Sequence, residues 1–303
     1  MKTIIKKVFF VFLLFFASNN INAQESNIDY VITDDNVKLF TKKSGSGPLC
    51  IFIHGGPGAW SKSFEDMGGQ NLEHSLTMIY YDQRGSGRSE DAKDGNYSLE
   101  RVLKDIETIR IRNNAEQVYL LAHSFGGILA TQYALNYPDH IKGIILANCT
   151  LNLKYSIANQ VNYMNSLMGI ENSTADPTLL STLVETRNAF EKKGLVYKLL
   201  SDHKKNIDLI HTIDSKNPSS YSFAQKSFGI QDYLKDHTQI TNTIKTPVLV
   251  ITGKKDHAIG ENHYKSFHFP NQTIQKIDGG HILYYEENEK FIETIFKFIK
   301  KFG

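Results

Sequence analysis

The chain has 303 residues, of which 41% are hydrophobic, 22% charged and 11% aromatic, with 21 glycines, 7 prolines and 2 cysteines. This composition excludes a disordered chain, a collagen-like or low-complexity protein and a small disulfide framework. At about 100 to 200 residues per domain, the length allows one large domain or one domain with a substantial insertion.

Residues 1–23 have the pattern of a secretory signal peptide. Three lysines lie among the first seven residues, an apolar stretch runs from Val8 to Ala17, and Ile21-Asn22-Ala23 fits a small-residue cleavage site. The alternative is a retained membrane anchor. An apolar stretch of ten residues is, however, too short to span a bilayer core, which requires about 20 residues. The sequence therefore predicts export to the periplasm or the extracellular space, with no stable membrane span after cleavage.

The formal net charge of +2 depends on this leader. Without its three lysines the mature chain has 31 basic and 32 acidic residues, which is a net charge of −1. This balance points to no nucleic-acid partner and to no anionic membrane surface. The sequence leaves the oligomeric state open.

After the leader, short β-rich runs alternate with stretches of helical periodicity, which is typical of an α/β fold with a mostly parallel sheet. The middle runs are continuously apolar, as strands covered on both faces should be, and the first two indicate a polar-edged hairpin. The predicted strands are Tyr30–Thr33, Val37–Lys42, Leu49–Ile53, Met78–Asp82, Val118–Ala122, Ile141–Ala147, Val248–Thr252 and Thr273–Ile277.

Three helices are predicted between and after these strands. The first helix is predicted over Ser98 to Asn113 and begins at a serine that can cap it. A second helix begins just after Ser124 and ends before Pro138. The last helix covers about Glu287 to Phe302 and carries an apolar stripe.

Residues 151–243 break this rhythm. They contain no clear strand, but they contain helical patterns such as Leu179 to Phe190. A block of this length is too long for a loop between two strands. The sequence therefore predicts a small helical subdomain inserted into a core formed by residues 24–150 and 244–303.

The two cysteines fall in or just after runs predicted as buried strands. Export would permit a disulfide between Cys50 and Cys149. In the expected topology, however, another strand separates their strands, which places them about 9 to 10 Å apart, beyond disulfide geometry. Two buried free thiols are therefore predicted.

The run from Val118 to Gly127 passes from an apolar strand through Ser124 into a helix. This is the context of a nucleophile elbow, in which a serine in a strained turn raises its hydroxyl above the sheet between small neighbours. Here those neighbours are Ala122 and Gly126, so the strict G-x-S-x-G pattern fails at its first position. The alternative is a serine that only caps a helix.

A second glycine-rich run, His54-Gly-Gly-Pro-Gly58, follows another predicted strand. Glycines at a strand end free backbone N–H groups to point into a cleft, and acyl transfer needs two such donors to hold an oxyanion. We assign these donors to the backbone of Gly56 and of Phe125. A phosphate-binding loop is disfavoured because neither G-x-x-x-x-G-K-[ST] nor G-x-G-x-x-G is present.

A serine nucleophile needs a base and an acid that orients it, in the chain order Ser, acid, His. Asp256 and His281 each lie just past one of the last two strands, at the edge where α/β sheets place their sites. Asp278 competes for the role of the acid but suits a turn better. His54 and His123 are interpreted as structural.

Five motifs in order resemble the α/β-hydrolase superfamily: HGGPG at 54–58, DQRGSGRS at 82–89, AHSFGG at 122–127, GKKD at 253–256 and GGH at 279–281. HGGPG followed by DQRGSG resembles the proline iminopeptidase (peptidase S33) group in particular. The resemblance implies an eight-stranded sheet, a helical cap at 151–243, hydrolysis through an acyl-enzyme, and no cofactor or metal. It also implies structural roles for Asp82 and Arg84 below the site.

The expected function is an aminopeptidase of the proline iminopeptidase type that acts on short peptides. Members of that group hold the substrate's free amine with acidic side chains of the cap. Their elbow usually has Trp after the serine, where this chain has Phe125. The acidic residues of the predicted cap are Glu171, Asp176, Glu185, Glu191, Asp202, Asp208, Asp214, Asp232 and Asp236.

Two other functions stay open at this point. A carboxylesterase or lactonase would use the same machinery on small esters. A non-catalytic binding protein on the same fold would be expected to lose part of that machinery.

Overall fold

The computed structural model describes residues 27–171 and 175–302, so the predicted leader lies outside the described residues. Within these ranges no helix is both long enough and apolar enough to span a membrane.

An eight-stranded sheet runs through the molecule in the order β1-β2-β4-β3-β5-β6-β7-β8. The strand β2 pairs antiparallel with both β1 and β4, and all later pairings are parallel, which confirms the predicted fold class. The strands are β1 Asn27–Ile32, β2 Lys38–Gly45, β3 Leu49–Ile53, β4 Thr77–Tyr81, β5 Val118–His123, β6 Ile141–Ala147, β7 Val248–Gly253 and β8 Gln272–Ile277.

The strands β3 and β6 have the predicted bounds, because their continuously apolar residues mark both ends. The hairpin strands differ from the prediction. The strand β1 begins three residues earlier, at Asn27, and β2 continues to Gly45 because Lys43, Ser44 and Gly45 pair with β4. That pairing is a tertiary contact that the local pattern does not contain.

Helices cover both faces of the sheet. The predicted cap of α2 is present, since the Ser98 hydroxyl accepts the amide of Arg101 at 3.3 Å. The α-helices are α1 Ser61–Asp66, α2 Leu99–Arg112, α3 Gly126–Asn136, α4 Leu153–Met168, α5 Leu180–Lys192, α6 Lys204–Asp214, α7 Ser222–Ser227, α8 Gln231–Leu234, α9 Leu283–Glu286 and α10 Asn288–Phe302. Short 3₁₀ helices cover Gly69–His74, Pro138–His140, Val196–Leu199, His237–Thr243 and His263–Ser266.

The described residues of the block between β6 and β7 are mostly helical. Its described residues, 148–171 and 175–247, form α4 to α8 with two 3₁₀ helices and no strand. Part of it has a small apolar core of its own, in which Met164, Phe190 and Leu199 pack together. We refer to residues 151–243 as the cap, following the predicted boundaries.

The prediction of two free thiols is confirmed. Cys50 and Cys149 are both buried and unpaired, and β5 lies between β3 and β6, the strands to which they belong or which they follow. Burial raises the pKa of both thiols. Neither thiol is therefore a thiolate at neutral pH.

Candidate active site

Ser124 lies in a strained turn between β5 and α3. Its φ of 56° is in the left-handed region, which a residue with a side chain seldom adopts. The Ser124 amide donates to the Ala147 carbonyl at 3.3 Å, and the Ser124 carbonyl accepts the amides of Gly127 and Thr150, each at 3.1 Å. These contacts with the end of β6 hold the turn, and the side chain is half-buried.

The small residues around Ser124 allow the strand and the helix to approach closely. A Cβ on Gly126 would lie 2.4 Å from the Ile53 carbonyl oxygen at the end of β3. A Cβ on Gly127 would lie 2.5 Å from the Cβ of Cys149. The methyl group of Ala122 is fully buried in the main core. The fold therefore accommodates alanine at the first position of the elbow, whereas the position of Gly126 has no room for a side chain.

Asp256 and His281 form a buried pair, with 1% and 6% of their surfaces exposed. The Nδ1 of His281 lies 3.1 and 3.2 Å from the two carboxylate oxygens of Asp256. The same carboxylate accepts the amides of Ala258 and Ile259, both at 3.0 Å. Because Nδ1 faces the carboxylate, Nε2 is the ring nitrogen that remains for exchange of a proton.

Asp278, the competing acid, lies elsewhere. Its side chain is largely exposed and its carboxylate is 3.5 Å from the Nζ of Lys255. The structure therefore brings Asp256 to His281 and leaves Asp278 at the surface.

The glycine-rich loop passes against the serine. A Cβ on Gly55 would lie 2.7 Å from the Cβ of Ser124 and 3.3 Å from its Oγ. The Gly56–Pro57 peptide bond is cis, and Gly56 has a φ of 117°. Among the described residues, no group accepts a hydrogen bond from the backbone amide of Gly56 or of Phe125. Their role as oxyanion donors stays a prediction.

His54 connects this loop to the segment after β4. The amide of Gln83 donates to Nε2 of His54 at 2.9 Å, so the proton of this imidazole is on Nδ1, which donates to the Gly55 carbonyl at 2.9 Å. Burial lowers the pKa of His54. A neutral histidine with both nitrogens engaged has a structural role.

Ionic contacts hold the segment after β4 in place. Asp82 is fully buried and accepts hydrogen bonds from the amide and the guanidinium of Arg88. Burial alone would raise the pKa of Asp82, but the contacts with Arg88 outweigh it and lower the pKa. Arg84, also fully buried, donates to both Asp35 and Asp105. These contacts fit the structural roles that the resemblance implies for Asp82 and Arg84.

His123 lies beside the catalytic candidates. Its ring centre is 4.6 Å from that of His281, and its Nε2 donates to the His281 carbonyl at 3.0 Å. Burial, together with the neighbouring His281, lowers the pKa of His123 to about 3. His123 is therefore neutral at physiological pH and donates one hydrogen bond to the backbone of His281.

The cap is bonded to the loop that carries His281. The Leu200 carbonyl accepts the His281 amide at 2.9 Å. The Glu286 carboxylate accepts the Gly280 amide at 2.5 Å and the hydroxyl of Ser201. No motif in the sequence marks this connection, because Leu200 and Ser201 lie about 80 residues before His281 and Glu286.

The cap is also bonded to the loop that carries Asp256. From α4, the side-chain amides of Asn159 and Gln160 donate to the carbonyls of His257 and Ala258, each at 2.8 Å. The ring of Tyr163 stacks on that of His257 with the centroids 3.7 Å apart. Both candidate catalytic loops are therefore held by the cap.

Aromatic residues of the cap surround Phe125. The rings of Phe223 and Tyr233 lie 5.9 and 5.3 Å from the Phe125 ring, and all three side chains are fully buried. The Tyr233 hydroxyl donates to the Tyr97 carbonyl at 2.8 Å. Phe125 thus joins the start of α3 to the cap.

Six of the nine acidic residues of the cap accept hydrogen bonds from protein groups or form ion pairs with them. Asp214 accepts the indole N–H of Trp60 at 2.7 Å and the hydroxyl of Ser63 at 2.5 Å. Asp202, Asp208 and Asp232 pair with Lys255, Lys204 and Lys235, and Asp176 and Asp236 accept the amides of Thr178 and Thr238. Glu171, Glu185 and Glu191 are exposed.

Comparisons with known proteins agree with this geometry. A family model described as alpha/beta hydrolase fold matches residues 48–288. A proline iminopeptidase of Saccharolobus solfataricus is 25% identical over an alignment of 289 residues. The alignment covers 86% of this chain and 87% of that protein.

Two solved structures share the fold. A proline iminopeptidase-related protein from Thermus thermophilus aligns with a TM-score of 0.77 and 21% identity, covering 92% of this chain and 98% of that one. An esterase from Exiguobacterium antarcticum aligns with a TM-score of 0.68 and 21% identity, covering 89% and 98%.

Replacing Gly126 with alanine should destabilise the elbow. The new Cβ would meet the Ile53 carbonyl oxygen at 2.4 Å, so the strand or the helix must move. We expect the free energy of unfolding, measured by urea denaturation, to fall by about 1 to 3 kcal/mol. Gly229→Ala is the control, because its Cβ would meet only the Lys226 carbonyl oxygen at 3.4 Å. Equal unfolding free energies for the two variants would show that the elbow accommodates a Cβ at position 126 and would contradict this expectation.

Proposed function

Because the chain belongs to the α/β-hydrolase fold family, we propose that it is a serine hydrolase with Ser124, Asp256 and His281 as its catalytic triad. The observation that carries this proposal is the buried Asp256–His281 hydrogen bond at the ends of β7 and β8. Ser124, in its left-handed turn at the end of β5, supports it. The three residue types follow one another in the order that this fold requires.

In the proposed mechanism the Oγ of Ser124 attacks an amide or ester carbonyl while Nε2 of His281 takes its proton. Asp256 holds the tautomer of the imidazole through Nδ1 and stabilises the imidazolium. The backbone amides of Gly56 and Phe125 hold the oxyanion, aided by the positive end of α3. His281 then gives the proton to the leaving group, and water, activated by the same histidine, releases the acyl group.

We propose an aminopeptidase of the proline iminopeptidase type as the leading activity, with short peptides as substrates. Its support is that curated relatives of this name align over most of the chain at about 25% identity. A free substrate amine demands a carboxylate near the cleft.

A carboxylesterase or lactonase is the second candidate. The observation that favours it is that six of the nine acidic side chains of the cap already accept hydrogen bonds or ion pairs from protein groups. An ester substrate needs no carboxylate to hold an amine. The same triad would serve either substrate.

Ser124→Ala should remove hydrolysis of whichever substrate the enzyme turns over. Loss of the nucleophile typically costs a serine hydrolase about 10⁴-fold or more in kcat. The measurement is the steady-state rate on a chromogenic substrate, with Ser166→Ala, an exposed serine of α4, as the matched control. Full activity in the Ser124→Ala protein would refute the triad.

A parallel assay separates the two substrate classes. The aminopeptidase proposal predicts turnover of proline or alanine p-nitroanilide, and blocking the amine of these substrates should abolish that turnover. Hydrolysis of p-nitrophenyl acetate without any hydrolysis of the anilides rules out the aminopeptidase and supports the esterase. No turnover of either substrate, with no labelling by a fluorophosphonate, would favour a non-catalytic binding protein.

We further propose that the protein is exported, on the support of the leader pattern in residues 1–23. Expression of the full chain in a bacterium should yield a product about 23 residues shorter, found outside the cytoplasm. Deletion of residues 2–23 should retain the protein in the cytoplasm. An uncleaved full-length chain in the membrane fraction would support the anchor instead.

A further inference from the structure

Asn148 has an unusual backbone conformation at the edge of the sheet where the candidate triad lies. It directly follows β6, its φ is 46°, and 3% of its surface is exposed. Asparagine tolerates this left-handed region better than most residues, but at some cost in energy. A residue held in this way points to a constraint from its surroundings.

The side-chain amide of Asn148 bonds to both candidate catalytic loops. Its Nδ2 donates to the carbonyls of Gly280 and His281 at 2.8 and 3.0 Å. Its Oδ1 accepts the amide of Gly253 at 2.7 Å. Carbonyls only accept and backbone amides only donate, so these partners fix the orientation of the side chain.

These partners lie next to the acid and the base. Gly253 ends β7 three residues before Asp256, and Gly280 directly precedes His281. A Cβ on Gly253 would lie 2.5 and 2.6 Å from the carbonyl oxygens of Gly279 and Gly280. The two loops therefore meet backbone to backbone, and the amide of Asn148 bridges them.

Residues on either side of Asn148 hold Ser124, the third residue of the candidate triad. Ala147 accepts the amide of Ser124, and Thr150 donates to the Ser124 carbonyl. The segment 147–150 thus touches the serine turn with its backbone, while the side chain of Asn148 touches the acid strand and the base loop.

We propose that Asn148 is a positioning residue for the triad, an inference that rests on the proposed function. It fixes the His281 loop relative to β7 and so sets where the imidazole lies relative to Asp256. Without the N–H groups of Asn148, the Gly280 carbonyl loses a donor, and among the described residues the His281 carbonyl keeps only His123 as a donor. The buried loop would then turn to find other donors and move the imidazole with it.

The test uses Asn148→Asp, which keeps the shape, the tolerance for the left-handed region and an acceptor for Gly253. The substitution replaces Nδ2 with a carboxylate oxygen, which cannot donate to the carbonyl oxygens of Gly280 and His281. We expect kcat for p-nitrophenyl acetate to fall about 100-fold, as for a misplacement of about 1 Å, with KM nearly unchanged. The rate constant for fluorophosphonate labelling of Ser124 should fall by a similar factor.

Asn114→Asp is the matched control, because Asn114 also has a left-handed φ, of 53°, but lies exposed after α2. Asn148→Gly is a second variant, which accepts the same φ without strain and adds no charge; kcat and the labelling rate should fall there too.

Wild-type kcat and labelling rate in either folded Asn148 variant would overturn the inference. Failure of both variants to fold would also overturn it, since Asn148 would then serve the fold and not the chemistry. If the wild-type protein itself neither reacts with the fluorophosphonate nor turns over the ester, it is the proposed function that fails.

Discussion

The parallel register of β3, β5, β6, β7 and β8 is the constraint on which the candidate site depends. His123 pairs with Ala147, Ala147 pairs with Ile251, and Gly253 pairs with Ile277, so these strands end along one edge. The turns that follow hold Ser124, Asn148, Asp256 and His281. His123 and His281, 158 positions apart in the chain, therefore meet because backbone hydrogen bonds align the strands of the sheet.

The cap adds a second constraint from above this edge. It bonds to the base loop through Leu200 and to the acid loop through Asn159 and Gln160. A movement of the cap away from either loop would break hydrogen bonds next to Asp256 or His281. The position of the cap and the alignment of the candidate triad are thus coupled through these hydrogen bonds.

Much of this arrangement could be predicted from the sequence, because strands and elbow have local patterns. The continuously apolar runs marked β3 and β6 to the residue, and the order of Ser124, Asp256 and His281 pointed to one edge. The contacts of Asn148 and Glu286 could not be predicted. They join Asn148 to the Gly280 carbonyl and Glu286 to the Ser201 hydroxyl, groups brought together only by the folded sheet and cap, and no spacing in the sequence marks them. The short helix α1 escaped prediction because its N-cap, Trp60, gives no side-chain capping signal.

Reaction of the wild-type protein with a fluorophosphonate, followed by intact mass measurement and peptide mapping, tests the central claim most directly. An activated serine should take up one adduct per chain, located on Ser124, and His281→Ala should lose that reactivity because the base is gone. An unmodified wild-type chain, an adduct on a different residue, or undiminished labelling of His281→Ala would contradict the assignment of Ser124 and His281 to a catalytic triad.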